Sequence, residues 1–379
     1  MHIAIDARFY GLEHAGLGRY TQNLIQELAT IDTENIYTLF VWDAHKDLQL
    51  PANFKTLVVD APHHSFQEQF GLAKILWQGD FDLVHFPHFI VPVLNFRVPF
   101  VVTIHDLIKH KHGGMEATTL APWKYRFKYL AYKFDMWWAA KLSTHIITPT
   151  QAVKDDVVSW FSLNPDKITY THEGFDSELR TSLDNSQANP QQTLQKYGIS
   201  QPYILYVGNS YPYKNIETLL QSLDYLPENM KLVLVGSRNV FVDRVTARIK
   251  ELGKENRVIQ AGYVPDNDLG VLYNHAVAMT TATLEEGFGI TPLEAMGAGC
   301  PAIISDIPVF REVCEDAAMY FNPKEVQGLA SRVMELHENE QQRQEYIQKG
   351  YEQVQKFSWN RMARETLAVY KTIGKNNQK

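Results

Sequence analysis

The chain has 379 residues, 45% of them hydrophobic, with a formal net charge of −7 and a sequence pI near 6.1. That length exceeds one small core and predicts about two domains, and the acidic balance excludes the broad basic face that nonspecific nucleic-acid binding requires. Its two cysteines, Cys300 and Cys314, stand at no metal-site spacing, which fits a reducing compartment and no disulfide framework.

Met1-His2-Ile3-Ala4-Ile5-Asp6 reads as a first strand, not a signal peptide, which would need a basic start and a longer apolar run. Further strands are expected over 37–41, 55–60, 82–86, 99–104, 145–148 and 167–171. The most apolar window, 83–104, is broken by His85, Pro87, His88, Pro92, Asn95, Arg97 and Pro99, so it predicts no spanning helix. The expected location is cytoplasmic, with the inner face of the cell membrane as one variant of it. The polar run 185–192 reads as a hinge or surface excursion. A second series of strands follows over 203–208, 231–236, 258–262, 277–281, 302–306 and 318–322. Short apolar runs alternating with longer mixed segments are the pattern of βαβ units in a parallel sheet. The fold class is therefore α/β, two Rossmann-like doubly wound domains facing a cleft. Two strands close on Val-Gly, at Val207-Gly208 and Val235-Gly236, marking carboxyl ends where such sheets bind ligands.

The densest chemistry lies in Thr283-Leu284-Glu285-Glu286-Gly287-Phe288-Gly289-Ile290-Thr291-Pro292-Leu293-Glu294-Ala295-Met296-Gly297, after a strand and opening a helix. Gly287 and Gly289 strip the backbone where a helix N-terminus offers N–H groups to an anion. Pro292 has no N–H to lose and suits an early helical position. With Glu286 in the turn and Glu294 further along, the expectation is a phosphate-bearing ligand whose hydroxyls bond to carboxylates.

This motif resembles the E-x7-E signature of retaining GT-B glycosyltransferases of family 4. Glu286 and Glu294 match its acidic positions, and Gly297-Ala298-Gly299-Cys300-Pro301-Ala302-Ile303-Ile304-Ser305 matches its continuation. The resemblance implies domains over 1–175, binding acceptor, and 176–359, binding nucleotide sugar, with a helix near 360–375 packing back on the first. It also implies that Glu286 and the Phe288-Gly289 backbone hold sugar hydroxyls, that Glu294 binds the ribose, and that Ile290 and Thr291 present the helix N-terminus to the diphosphate.

Other segments read in the same register. In Gly208-Asn209-Ser210-Tyr211-Pro212-Tyr213-Lys214-Asn215 the family carries a basic pair; here Asn209 and Tyr213 replace one partner, so Lys214 alone carries over, with Arg238 a candidate for the second charge. Ala15-Gly16-Leu17-Gly18-Arg19-Tyr20 looks like the family's glycine loop with Ala15 for the first glycine, which implies that Gly16 approaches the donor. Thr103-Ile104-His105-Asp106-Leu107 resembles a segment whose histidine meets the transferred sugar; His85 and His88 read as structural. Gly262-Tyr263-Val264-Pro265-Asp266 resembles the loop framing the nucleobase, contacted by Val264 and Asp266, the latter also read as a helix N-cap. His172-Glu173-Gly174-Phe175-Asp176 reads as an architectural turn at the domain boundary. Asp80-Phe81-Asp82 and Asp266-Asn267-Asp268 have no companion ligands, so neither a metal nor any other cofactor is expected.

Residues 109–141 carry seven lysines and arginines against two acids, while the rest of 1–175 carries eight bases and sixteen acids. Trp123, Phe127, Leu130, Phe134, Trp137 and Trp138 recur there at helical spacing, flanked by Lys124, Arg126, Lys128 and Lys133. Two readings fit: a face meeting an anionic membrane, or a long buried helix with snorkelling cations.

The resemblance as a whole implies a retaining hexosyltransferase of polysaccharide biosynthesis, its partners a nucleotide-sugar donor and a glycan or lipid-linked acceptor. His105, Glu286 and Lys214 would be its catalytic residues, with front-face attack and no protein nucleophile. The Gly-Leu-Gly-Arg-Tyr and Thr-Ile-His-Asp-Leu segments look most like mannosyltransferases using GDP-mannose; UDP-sugars and dTDP-rhamnose serve close cousins. The rivals are a GT-B-fold epimerase acting on a UDP-amino sugar and a non-catalytic partner that keeps the fold.

Overall fold

Runs such as Ile3-Ala4-Ile5, Leu232-Val233-Leu234-Val235 and Ile303-Ile304 are wholly buried, as strands must be when a parallel sheet is covered on both faces. In the computed structural model, which describes residues 1–11, 15–63, 65, 67–118, 120–175, 189–236 and 241–377, these runs assemble into two parallel sheets. The first contains β1 (His2–Asp6), β2 (Ile36–Val41), β3 (Phe54–Val58), β4 (Leu83–Phe86), β5 (Phe100–Thr103), β6 (His145–Thr148) and β7 (Ile168–Tyr170), in the order β3-β2-β1-β4-β5-β6-β7. The second contains β8 (Tyr203–Val207), β9 (Lys231–Val235), β10 (Val258–Gly262), β11 (Ala278–Thr281), β12 (Ala302–Ser305) and β13 (Ala318–Phe321), in the order β10-β9-β8-β11-β12-β13. Every expected strand is present. In each sheet the strand order reverses beside the first strand, between β1 and β4 and between β8 and β11. In open α/β sheets, ligands bind at the carboxyl ends beside that switch.

The chain divides into two compact units, Met1–Lys111 with Leu120–Gly174 and Ser358–Lys379, and His112–Thr119 with Phe175–Phe357. One stretch departs from the expected boundary at 175. Residues 112–119 group with the second unit because Arg244 Nη1 donates to the Glu116 carbonyl at 2.9 Å and the His112 ring lies beside that of Tyr213.

In the first unit the helix Ala15–Ile31 buries Tyr20, Leu24, Ile25 and Leu28, the spacing of one helical face. Against it lies the helix Trp359–Asn377, which buries Met362, Ala363, Thr366, Tyr370 and Ile373. Asn360 Nδ2 donates to Glu27 Oε2 at 2.7 Å, and the chain passes under this helix at Gly174, where a Cβ would sit 2.3 Å from Trp359 N. The helix Pro122–Leu142 buries only Tyr132, Met136, Ala139 and Ala140. That corrects the buried-helix reading of the segment. In the second unit Leu219, Leu220, Leu223, Leu232, Ile303 and Leu329 pack into one core beneath the sheet.

Candidate active site

The carboxyl edge of the second sheet is built from glycine. A Cβ on Gly236 would stand 2.1 Å from the Gly208 carbonyl oxygen, so β8 and β9 end too close together for any side chain. Past Gly208 the loop folds on its own polar groups: Tyr206 OH donates to the Asn209 carbonyl at 2.6 Å, and Asn209 Oδ1 accepts from Tyr211 N at 3.3 Å. Pro212 opens a single 3-10 turn, and Asn215 closes it in the left-handed region at φ 52°, a conformation asparagine tolerates better than most residues. Asn215 Nδ2 and Thr218 Oγ1 both donate to the Pro323 carbonyl, at 2.8 and 3.1 Å, and Leu284 N donates to the Tyr213 carbonyl at 2.8 Å. These bonds fix the loop against the 283–286 turn, and Lys214 Nζ donates to Glu286 Oε1 at 2.5 Å. Both side chains are about 15% exposed, so the pair is largely desolvated.

Immediately beyond, Gly289 is the N-cap of the helix Ile290–Gly297, with φ 87° and no side-chain cap. A Cβ there would meet Phe310 Cε1 at 2.5 Å, so only glycine fits on two counts. Ile290 and Thr291 are half-buried in the first turn, and Glu294 is buried in the next. The Phe288 ring is buried and packed edge-on to Phe357. Val264 is buried and Asp266 exposed. The cap expected at Asp266 is not made: Pro265 is the N-cap and Asp266 the first helical residue, where its charge still favours the helix dipole. Arg238, Asp176 and residues 185–188 lie outside the described residues.

The first unit's carboxyl edge is stocked with paired side chains instead. His105, just past β5, is half-buried: Nε2 lies 2.9 Å from the Pro87 carbonyl and Nδ1 lies 3.3 Å from Glu173 Oε1. A carbonyl and a carboxylate both accept, so two donors on one ring suit them best, the imidazolium form. Burial alone would lower the His105 pKa; the hydrogen bond and charge of Glu173, with Pro87 and Asp106, outweigh it and hold the pKa above the ordinary histidine value. The Tyr20 ring stands edge-on 4.7 Å away. Beneath run Tyr20 OH to Thr103 Oγ1 (3.3 Å), Thr103 Oγ1 to His85 Nε2 (2.8 Å) and His85 Nδ1 to Tyr370 OH (2.5 Å). His85 is pushed down to about 3 by burial and by the charges of His105 and His88, so it serves as a neutral link in this chain.

Beside β1, Arg8 grips Asp6 with Nε and Nη2 at 2.8 and 2.6 Å, donates through Nη2 to Glu68 Oε1 at 2.7 Å, and through Nη1 to the Ala61 carbonyl at 2.6 Å. All three charged side chains are fully buried. Burial would raise the Asp6 carboxyl, but Arg8 and then His88 overcome it and hold Asp6 far below the usual carboxylate range. Gly16 lies in the first turn of the helix Ala15–Ile31, exposed, with nothing within 4 Å of an added Cβ. Both D-x-D triplets have local partners: Asp82 Oδ2 accepts from His2 N at 2.7 Å, and Asp268 Oδ2 from Lys196 Nζ and Tyr197 OH, each at 2.7 Å. Among the described residues no group of His, Cys, Asp and Glu is placed to hold a metal ion.

Of the expected site residues, Lys214, Glu286, Gly289, Ile290, Thr291 and Glu294 therefore lie on contiguous segments of the second unit, while His105 and Gly16 lie in the first. Glu173, in a segment whose sequence reads as an architectural turn, is the partner of His105. No spacing in the sequence reveals that pairing, since 68 residues separate the two.

These arrangements define a class. Residues 14–179 match the profile of Glycosyltransferase Family 4 and residues 191–353 that of Glycosyl transferases group 1, together spanning most of the chain. The chain belongs to the family 4 glycosyltransferases and has the GT-B fold. It is 28% identical to the O-antigen chain mannosyltransferase B of Escherichia coli across 94% of this chain and 96% of that one. It is 26% identical to the O-antigen chain mannosyltransferase RfbU of Salmonella typhimurium across 70% and 68%. Its fold resembles that of Anabaena HepE in complex with UDP and glucose, with a TM-score of 0.74, 18% identity and 98% and 99% coverage.

Proposed function

We propose that this glycosyltransferase moves a mannosyl residue from GDP-mannose to a glycan or lipid-linked acceptor hydroxyl, with retention of anomeric configuration and without a metal ion. The observation that carries the reading is the Lys214–Glu286 ion pair set beside the uncapped N-terminus at Gly289; the mannose assignment rests on the two mannosyltransferase relatives.

As the glycosidic bond breaks, negative charge grows on the departing diphosphate, and stabilising it is the main electrostatic task. Lys214 and the first-turn N–H groups of Ile290 and Thr291 are the donors for that charge, the helix end contributing roughly half a positive charge. A unit charge pair about 4 Å apart at an effective dielectric of about 20 is worth ~4 kcal/mol. A diphosphate carrying at least twice the charge of Glu286 therefore outcompetes it for Lys214. Glu286, relieved of its partner, then accepts from sugar hydroxyls and stabilises positive charge at the anomeric carbon. Glu294 is assigned to the ribose, Val264 and Asp266 to the base, Asn209 and Gly16 to the diphosphate. His105, with both nitrogens engaged, offers the sugar a cationic ring held by Glu173.

Thermal-shift measurements with GDP, UDP, dTDP and ADP test the donor: GDP should give the largest rise, since a tight ligand stabilises by mass action. A larger rise with UDP would overturn the GDP-mannose assignment. Proton NMR of the product tests the stereochemistry; an inverted linkage would remove the retaining mechanism.

A further inference from the structure

Leu120, Trp123, Phe127, Leu130, Phe134 and Trp137 recur at alternating spacings of three and four, and every one is exposed, from 37% to 75%. Five of them form one stripe along the helix Pro122–Leu142, opposite the face that buries Tyr132, Met136 and Ala139. At 1.5 Å per residue this helix is about 30 Å long. Phe96, 71% exposed, widens the patch beside Trp138, its ring 6.4 Å away. Exposed Lys124, Arg126 and Lys133 flank the stripe, and exposed Lys128 stands one turn before Tyr132, in a chain whose net charge is −7. Soluble proteins rarely leave so continuous an apolar surface uncovered.

We infer that this face docks on an anionic lipid bilayer, the helix lying in the headgroup plane with its aromatic stripe toward the acyl boundary. Charge decides between occupants. A second copy of the helix would bring the same four cations against themselves, with Asp135 the helix's only acid. An anionic surface instead neutralises every one of them, while tryptophan and phenylalanine are the side chains that settle at a bilayer boundary. No described helix is long and apolar enough to cross a membrane, so the contact is peripheral. The transferase reading enters only in assigning the docked enzyme a lipid-linked acceptor.

Flotation of the full chain with phosphatidylcholine vesicles, with and without phosphatidylglycerol, tests the proposal. The protein should float with the anionic vesicles alone, with a blue shift in tryptophan emission, and be released by high salt. Lys124→Glu with Arg126→Glu should weaken binding by fivefold or more per residue. Phe127→Ser with Leu130→Ser should weaken it at unchanged charge, both pairs keeping the wild-type melting curve. Protein that stays at the bottom of the anionic gradient, or floats undiminished with both variant pairs, overturns the proposal. So does a concentration-dependent dimer in sedimentation that Phe127→Ser abolishes. Transfer to a soluble oligosaccharide acceptor separates the two readings: variants that lose flotation should keep it, and wild-type protein that floats without transferring sugar contradicts the enzyme assignment instead.

Discussion

The two units share one strand order over six strands, the first adding β7 at its edge, yet their carboxyl edges are furnished in opposite ways. In the second unit Gly208, Gly236 and Gly289 clear the backbone, and one ion pair stands near a helix start with no side-chain cap. In the first unit the corresponding edge is filled with charged side chains that already satisfy one another, Arg8 with Asp6 and Glu68, and His105 with Glu173. One topology thus yields either an edge cleared of side chains or a rigid polar floor. The difference is made by residue size at strand ends, not by the fold.

The comparison breaks most readily at the floor. Arg8→Met should strand two buried carboxylates and cost about 3–5 kcal/mol, a fall in melting temperature on the order of ten degrees; calorimetry showing no fall would mean the cluster is not structural. Next, Lys214→Ala should lower kcat/KM roughly 10²- to 10³-fold with the melting curve nearly intact, read by steady-state kinetics on the GDP-sugar. Gly289→Ala forces a Cβ against Phe310 at positive φ and should cost about 1–3 kcal/mol while weakening nucleotide-induced stabilisation.

The floor also has a pH signature. The folded pKa of His105 lies above its unfolded value, near 6.5. The stability its pairing with Glu173 supplies is therefore complete below that pH and is lost as pH rises through the raised folded value. The stability gap between wild type and Glu173→Gln should accordingly narrow from pH 6 to pH 9; a gap that widens would reverse the assignment. The smallest effect is expected from chelation: EDTA should leave the transfer rate unchanged if Lys214 and the helix terminus carry the diphosphate charge.

Legibility followed locality. Strands such as Leu232–Val235 announce themselves because apolar runs bounded by glycine need no partner to be recognised, and the 283–297 segment carries its turn, its carboxylates and its helix start in one continuous stretch. What stayed hidden was pairing across distance. Each of Lys214 and Glu286 reads as a ligand-binding residue, but their direct bond spans 72 residues. His105 and Glu173 are 68 residues apart, and the Arg8 cluster draws on residues 60 apart. The helix Pro122–Leu142 shows a different limit: spacing reveals an aromatic stripe, but only the packing of Tyr132 and Met136 decides that the stripe faces outward.

The return of the chain after residue 358 has a consequence for how the protein is made. The first unit's interior includes Tyr370, which reaches His85, and the half-buried Asn360 ties the same helix to Glu27. On the ribosome, every residue of the second unit emerges before either of these, so that unit can finish its interior while the first still lacks a wall. Shortening the chain near residue 358 should therefore injure the amino-terminal unit, which takes its last helix from beyond that point, far more than its neighbour.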